Sequence, residues 1–214
     1  MLTVWSVCVG TEFKDDEVRI LKRQVERHAP PHEFVCITDH EIADVDCLIP
    51  PDIGEYPGWW AKLLIFRHGR SSNLFLDLDS VVVGDIGSLV SEKLSMPRNW
   101  SLHRGPEGQS GVMSWAGSFD ITRHYDKSRL CGHPAYPDKP WAMLDELWGD
   151  MGYIGRYVGT HDSGAIAVMN NVYSYKYHCQ NGVPAGAAVI AFHGLPRPSE
   201  VNDKWVINAR KYPH

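Results

Sequence analysis

A chain of 214 residues, 43% hydrophobic and 22% charged, has an ordinary globular composition and enough length for one core, so a single domain over 1–214 is expected. The formal net charge of −5 argues against nucleic acid or an anionic membrane as a partner, since both favour basic faces. No apolar run approaches a bilayer span and Met1 to Gly10 lacks the basic head and apolar middle of a signal peptide, which excludes a transmembrane segment and points to the cytoplasm. Cys8, Cys36, Cys47, Cys131 and Cys179 are odd in number and scattered, so they fit neither a disulfide framework nor a zinc motif.

Leu2 to Val9 alternates and is rich in Val, Trp and Thr, which predicts a first strand ended by Gly10-Thr11. Asp15 to His28 carries Val18, Ile20, Leu21 and Val25 among charges, with acidic residues in its first turn, and so predicts an amphipathic helix stopped by Pro30-Pro31. Phe34 to Thr38 reads as a second strand and Cys47 to Ile49 as a third. Strand, helix and strand in that order imply a βαβ crossover and a parallel sheet. Pro57-Gly58-Trp59-Trp60 then breaks the chain before Ala61 to His68, which has helical character and carries Lys62 in its first turn. A cation there adds to a local anion site or simply faces solvent.

The stretch Asn73 to Asp85 is where charge is least expected. Leu74 to Leu76 is an apolar run of strand length, Asp77 and Asp79 follow two positions apart, and Val81 to Val83 begins at once. In an extended chain residues i and i+2 share a side, so the carboxylates are expected to converge at a strand end, where a cation must offset their repulsion and desolvation. Two hard oxygen ligands suit Mg²⁺ or Mn²⁺ together with a substrate phosphate. The competing reading makes Asp79-Ser80 a turn and Asp77 a helix cap. In a βαβ sheet the loops after Val9, Thr38 and Leu76 are expected on one rim, at the carboxyl ends of the strands.

Beyond Ser88 the pattern loosens. Trp100 to His103 and Ser110 to Trp115 read as strands, Ser118 to His133 as polar and mixed, and Pro134, Pro137 and Pro140 mark a long loop. Trp141 to Trp148 is expected to be a short helix that Gly149 to Ile154 continues or ends. Ile166 to Met169 and Ala187 to Phe192 read as short buried strands, and the basic tail beyond Trp205 as peripheral. The eight tryptophans are mostly core or loop anchors; Trp59 and Trp60 lead as sugar-stacking candidates because they lie just before the Lys62 helix.

Four segments carry a family likeness: Phe75-Leu76-Asp77-Leu78-Asp79, Gln109-Ser110-Gly111-Val112-Met113, Gly149-Asp150-Met151-Gly152-Tyr153-Ile154 and Phe192-His193-Gly194-Leu195-Pro196-Arg197-Pro198. Together they resemble the GT-A fold glycosyltransferases, above all the family 8 branch of glycogenin and the lipopolysaccharide galactosyltransferases. The first is similar to that family's Asp-x-Asp metal motif and the last to its terminal His-x-x-Gly-x-x-Lys-Pro segment. Gln109 stands where the family has Asn, Met151 where it has Gln and Arg197 where it has Lys, and Gly194 directly after His193 shortens the terminal motif.

The resemblance implies an α/β GT-A (Rossmann-like) nucleotide-diphospho-sugar transferase fold with a mostly parallel central sheet, its nucleotide-binding half about 1–90 and its acceptor half about 91–214. It implies a metal-dependent transferase of the hexosyl class that uses a nucleotide-sugar, a UDP-sugar in the first instance, and Mn²⁺ or Mg²⁺. The acceptor is a carbohydrate, a lipid or a protein. Asp77, Asp79 and His193 are then expected to hold the metal, the histidine nitrogen favouring Mn²⁺. Gly194 would let the backbone approach phosphate while Arg197 grips it. Val9, Thr11, Asp39 and Lys62 are expected on the donor, and Gln109 and Asp150 at the reacting sugar, where Asp150 reads equally as a helix N-cap. Two other enzymes, a nucleotidyltransferase and a sugar-nucleotide hydrolase, would use the same carboxylates. The glycine-rich loop that sugar nucleotidyltransferases carry is missing from Gly10-Thr11-Glu12-Phe13-Lys14. A non-catalytic nucleotide-sugar-binding module is the remaining alternative.

Overall fold

The computed structural model describes residues 1–100, 108–145, 147–158 and 166–211. The first half follows the order β1 (Leu2–Cys8), α1 (Asp15–His28), β2 (His32–Thr38), β3 (Asp46–Leu48), α2 (Leu64–Arg67), β4 (Asn73–Leu76) and β5 (Ser80–Val82). The second half adds β6 (Ser95–Met96), β7 (Val112–Trp115), β8 (Leu130–Cys131), β9 (Met143–Leu144), β10 (Leu147–Trp148), α3 (Gly149–Val158), β11 (Ala167–Val168), β12 (Val172–Ser174), α4 (Tyr175–His178), β13 (Val189–Ala191) and α5 (Lys204–Arg210).

Seven strands form the central sheet in the order β11-β6-β7-β4-β1-β2-β3. The pairs β4–β1, β1–β2, β2–β3 and β11–β6 are parallel, and only β7 runs against its neighbours β4 and β6. This is the mainly parallel α/β architecture expected from the sequence. β1 is buried on both faces because α1 covers one side with Val18, Leu21 and Val25 and the Trp60–Phe66 segment covers the other. All five cysteines are free, and among the described residues no helix is long and apolar enough to cross a membrane.

A second, three-stranded sheet, β12-β13-β5, takes the chain after the Asp77 segment. Asp77 ends a strand of the large sheet and Asp79 leads into a strand of the small one. The backbone turns between them, with the Ser80 N–H donating to the Asp77 carbonyl at 3.0 Å. The extended i, i+2 geometry expected here is therefore corrected to a turn, because two sheets meet at this point. Gln24 on α1 braces the turn's far side by accepting the Val82 N–H at 2.7 Å.

Other expectations change too. The segment before α2 is a 3-10 helix, Gly58–Leu63, rather than the start of an α-helix at Ala61. Met143–Leu144 and Leu147–Trp148 are the antiparallel strands β9 and β10 rather than parts of a helix; β9 also pairs with β8, and Asp145 takes a φ of +52°, a conformation that aspartate tolerates. The helix starts only at Gly149. The expected strand at Trp100 to His103 falls largely outside the described residues. The basic tail is more than peripheral: α5 buries Val206 against Val81, Ile190 and Phe192, and Arg210 donates to Glu17 on α1 at 2.9 Å.

Gly58 is one position where glycine is required. Its φ is +56°, and a Cβ there would lie 2.1 Å from the Trp141 ring. Gly58→Ala is expected to lower stability by about 2 kcal/mol or more, from left-handed strain plus displacement of an indole, read as a lower urea midpoint. An unchanged midpoint would mean that the Trp141 loop does not pack on this turn.

Candidate active site

At the carboxyl end of β4 the two sheets part around a cleft of about 470 Å³, within the usual size of a small-ligand site. Asp77 lies on its floor, its N–H given to the Gly111 carbonyl at 2.8 Å. Gly111 leaves room above it, for a Cβ there would come within 3.3 Å of the Asp77 carboxylate. Lys62 reaches the same carboxylate from the 3-10 helix. Only 4% exposed, its ammonium donates to Asp77 Oδ2 at 3.0 Å and pairs with Asp150 Oδ2 at 2.9 Å. Ser110, just before β7, donates its hydroxyl to the same Asp150 oxygen at 2.7 Å. A chain Asp77–Lys62–Asp150–Ser110 thus ties β4, the 3-10 helix, α3 and the β7 approach together.

One cation between two carboxylates leaves the floor acidic, and Asp79 adds a further charge. Its side chain meets the Gly194 N–H at 3.3 Å, and its carbonyl accepts from Phe192 N–H at 3.1 Å. Burial pushes the Asp77 carboxyl up to about 7; Lys62 counteracts this, and the charges of Asp79 and Asp150 reinforce it. Asp79 is also raised, by burial first, with the Gly194 N–H, Lys62 and Arg197 opposing.

His193 lines the cleft beside Gly194, with a φ of +39°. Burial and the neighbouring Lys176 charge lower its pKa to about 4, so its imidazole is neutral at pH 7. Its Nε2 lies 2.6 Å from the Ser174 hydroxyl, and its ring packs against Trp100 and Tyr177. Among the described residues no three His, Cys, Asp or Glu side chains converge as a metal cage. Of the Asp77, Asp79 and His193 set expected from the sequence, Asp77 pairs with Lys62, which also pairs with Asp150, and the His193 ring nitrogen meets the Ser174 hydroxyl. Asp77 and Asp79 still have the donor chemistry a hard divalent ion needs. They are two carboxylates with raised proton affinity, and the side chain of Asp79 has a single long backbone hydrogen bond.

Val9, Lys62, Asp77, Asp79, Gln109, Asp150, His193, Gly194 and Arg197 all line this one cleft. Gln109 is oriented by its amide donating to Asn99 Oδ1 at 3.0 Å. Thr11 and Asp39 do not line it. Asp39 accepts the Gly10 N–H at 2.9 Å and meets His40 Nδ1 at 2.8 Å, so it shapes the loop after β1. Trp60 is core, its indole N–H given to the Trp141 carbonyl at 2.7 Å, whereas Trp59 faces the cleft.

Sequence reasoning missed the cluster at the cleft mouth. Glu12, from the loop after β1, accepts from Arg197 Nη2 at 2.6 Å and from Lys139 Nζ at 2.9 Å. Burial raises the Glu12 pKa, but those two cations more than offset it and leave it lowered. Ser110 belongs to the Gln109-Ser110-Gly111-Val112-Met113 segment, but nothing local marks Glu12 or Lys139, whose partners lie far off in sequence.

The fold is the GT-A architecture seen in solved glycosyltransferases. Solved structures with this architecture include the galactosyltransferase LgtC in complex with donor and acceptor sugar analogues, with a TM-score of 0.60 and 10% identity over 97% of this chain and 95% of that one. The glycosyltransferase GlyE of Streptococcus pneumoniae TIGR4 has a TM-score of 0.65 and 12% identity over all of this chain and 62% of its own. The bifunctional glycosyltransferase WbbM has a TM-score of 0.57 and 10% identity, and this chain spans about half of it, 49%. These are the family 8-type neighbours that the motifs resembled. No protein-family model and no curated sequence matches the chain.

Proposed function

We propose that this protein is a glycosyltransferase that moves a hexosyl group from a UDP-sugar to an acceptor, with Mn²⁺ or Mg²⁺ as cofactor, residues 1–90 serving mainly the donor and 91–214 the acceptor. The observation that carries this is the acidic floor itself. Asp77 follows the end of the central strand β4 and Asp79 lies across the turn from it, in a cleft whose walls also supply the Gly194 N–H and Arg197. Asp77 and Asp79 would hold the metal, which when bound neutralises charge gathering on the departing diphosphate.

The chain's own groups do the rest. Gly194 brings backbone close to phosphate, and Arg197 offers a planar fork to it. Lys62 fixes the Asp77 carboxylate and keeps a positive charge on the floor. Asp150, held by Lys62 and Ser110, presents a carboxylate to a sugar or acceptor hydroxyl, and Gln109 faces the same space. Val9 borders the cleft beside the strand ends where a nucleoside would lie.

Thermal unfolding with a panel of nucleotides tests the reading. UDP should raise the melting temperature only with Mn²⁺ or Mg²⁺ present, since a ligand bound to the native state stabilises it. Asp79→Ala should remove that increment and reduce UDP release from UDP-sugars by ~100-fold or more. Equal protection by every nucleotide, with or without metal, overturns the proposal.

A further inference from the structure

The Glu12 cluster is unusual for its place. Glu12 is an anion at the mouth of a cleft whose floor already holds Asp77 and Asp79, and its charge adds to what raises the Asp79 pKa. Two cations from distant parts of the chain converge on it, each on a different oxygen: Lys139 on Oε2 and Arg197 on Oε1. One oxygen per cation is how the pair would also take a phosphate.

The cations are better anchored than the carboxylate between them. Lys139 lies over Trp59 at 4.7 Å, Trp141 at 5.5 Å and Tyr136 at 5.8 Å, and its side chain is 16% exposed. That aromatic box is itself fixed, for Trp141 packs on Gly58 and its carbonyl holds the Trp60 indole. Arg197 stacks over Phe13 at 4.2 Å. Such cation–π contacts keep both charges in place when their counter-ion leaves. Glu12 comes from a loop, and its side chain is 36% exposed.

We propose that Lys139 and Arg197 form a diphosphate-binding pair at the cleft mouth and that Glu12 is its displaceable counter-ion, vacating both cations when a ligand diphosphate enters. The proposal deepens the glycosyltransferase reading by adding Lys139 to the donor site and a self-blocking carboxylate that the donor must displace. Only non-covalent contacts exchange. The Glu12 carboxylate rotates to solvent, and phosphate oxygens accept the hydrogen bonds that it gave up.

Calorimetric titration with inorganic pyrophosphate and with UDP, in magnesium buffer, tests it on the full chain. Lys139→Met should weaken both probes by ~10-fold, the scale of one charge-assisted hydrogen bond, and Lys139→Arg should restore most of that loss. Glu12→Gln should tighten both by ~3-fold or more, because the competing occupant is gone. Uridine, which has no phosphate, should be indifferent to all three. Should Lys139→Met fail to fold, the Glu12→Gln arm decides alone. Weaker binding in Glu12→Gln, unchanged affinity in Lys139→Met, or no binding of either probe overturns the proposal. The pyrophosphate arm needs no sugar transfer, so the predicted pattern in a protein that releases no UDP from any sugar donor would sink the enzyme reading and leave this one standing.

Discussion

Lys62→Met should lose about 3–5 kcal/mol of folding stability near neutral pH, the loss typical when one partner of a buried ion pair is removed. The reason lies in what stays behind. Lys62 is almost fully buried and bridges Asp77 at 3.0 Å and Asp150 at 2.9 Å, so its removal leaves two carboxylates facing each other without a cation. Burial would lower the lysine pKa, but the charges of Asp150 and Asp77 more than offset this and raise it. A lysine raised in the folded state contributes fully below its unfolded value near 10.4, so across the working range Lys62 keeps its charge. The variant's defect, in contrast, should depend on pH. Asp77 already titrates at about 7, and without Lys62 it moves higher still. Protonation relieves the repulsion, so the defect should be largest near pH 8 and shrink toward pH 5.5. Urea unfolding of parent and variant at both pH values measures this. A small defect that is the same at both would show that the bridge carries little of the floor.

The parts of the fold that could be read from the sequence are those whose cause is local. Val18, Leu21 and Val25 repeat at helical spacing and Pro30-Pro31 stops them, so α1 falls where expected. The apolar runs of β1, β2 and β4 likewise announce a sheet buried on both faces. Met143, Leu144 and Leu147 suit one face of a helix just as well as antiparallel strands, and only pairing with Leu130 and Cys131 decides between them. Of the competing reading, a turn at Asp79-Ser80 and a helix cap at Asp77, the structure contains the turn, closed from Ser80 back to Asp77. Its cause, a change from one sheet to another, is invisible until β13 is known to pair with β5. The site divides in the same way. Asp77 and Asp79 stand out as charge within apolar strands, and Lys62 as one lysine among Trp60 to Phe66. Glu12 and Lys139 are ordinary surface residues in sequence, and only the meeting of three loops gives them a common purpose.

Mn²⁺ should bind about 10-fold more weakly at pH 6 than at pH 8, and the change should centre near pH 7. The sign follows from Asp77. Its folded pKa of about 7 lies above the unfolded aspartate value near 3.9, so the native floor keeps a proton that the unfolded chain has released. That contribution to stability is complete below pH 4 and is lost as pH rises through 7. Metal binding has the opposite dependence, because the ion needs the carboxylate and must expel the proton below pH 7. The charged groups facing Asp77 are Lys62 from the 3-10 helix, Asp79 beyond the turn and Asp150 from α3; Lys62 stays charged throughout this window. His193 lies outside it, lowered to about 4. The titration is best made with Mn²⁺ alone, since a phosphate monoester group has its own ionisation near pH 6. Asp77→Asn should flatten the profile as well as weaken binding. A profile that keeps its midpoint near 7 in that variant would assign the titration to another group and remove Asp77 from the metal's ligands.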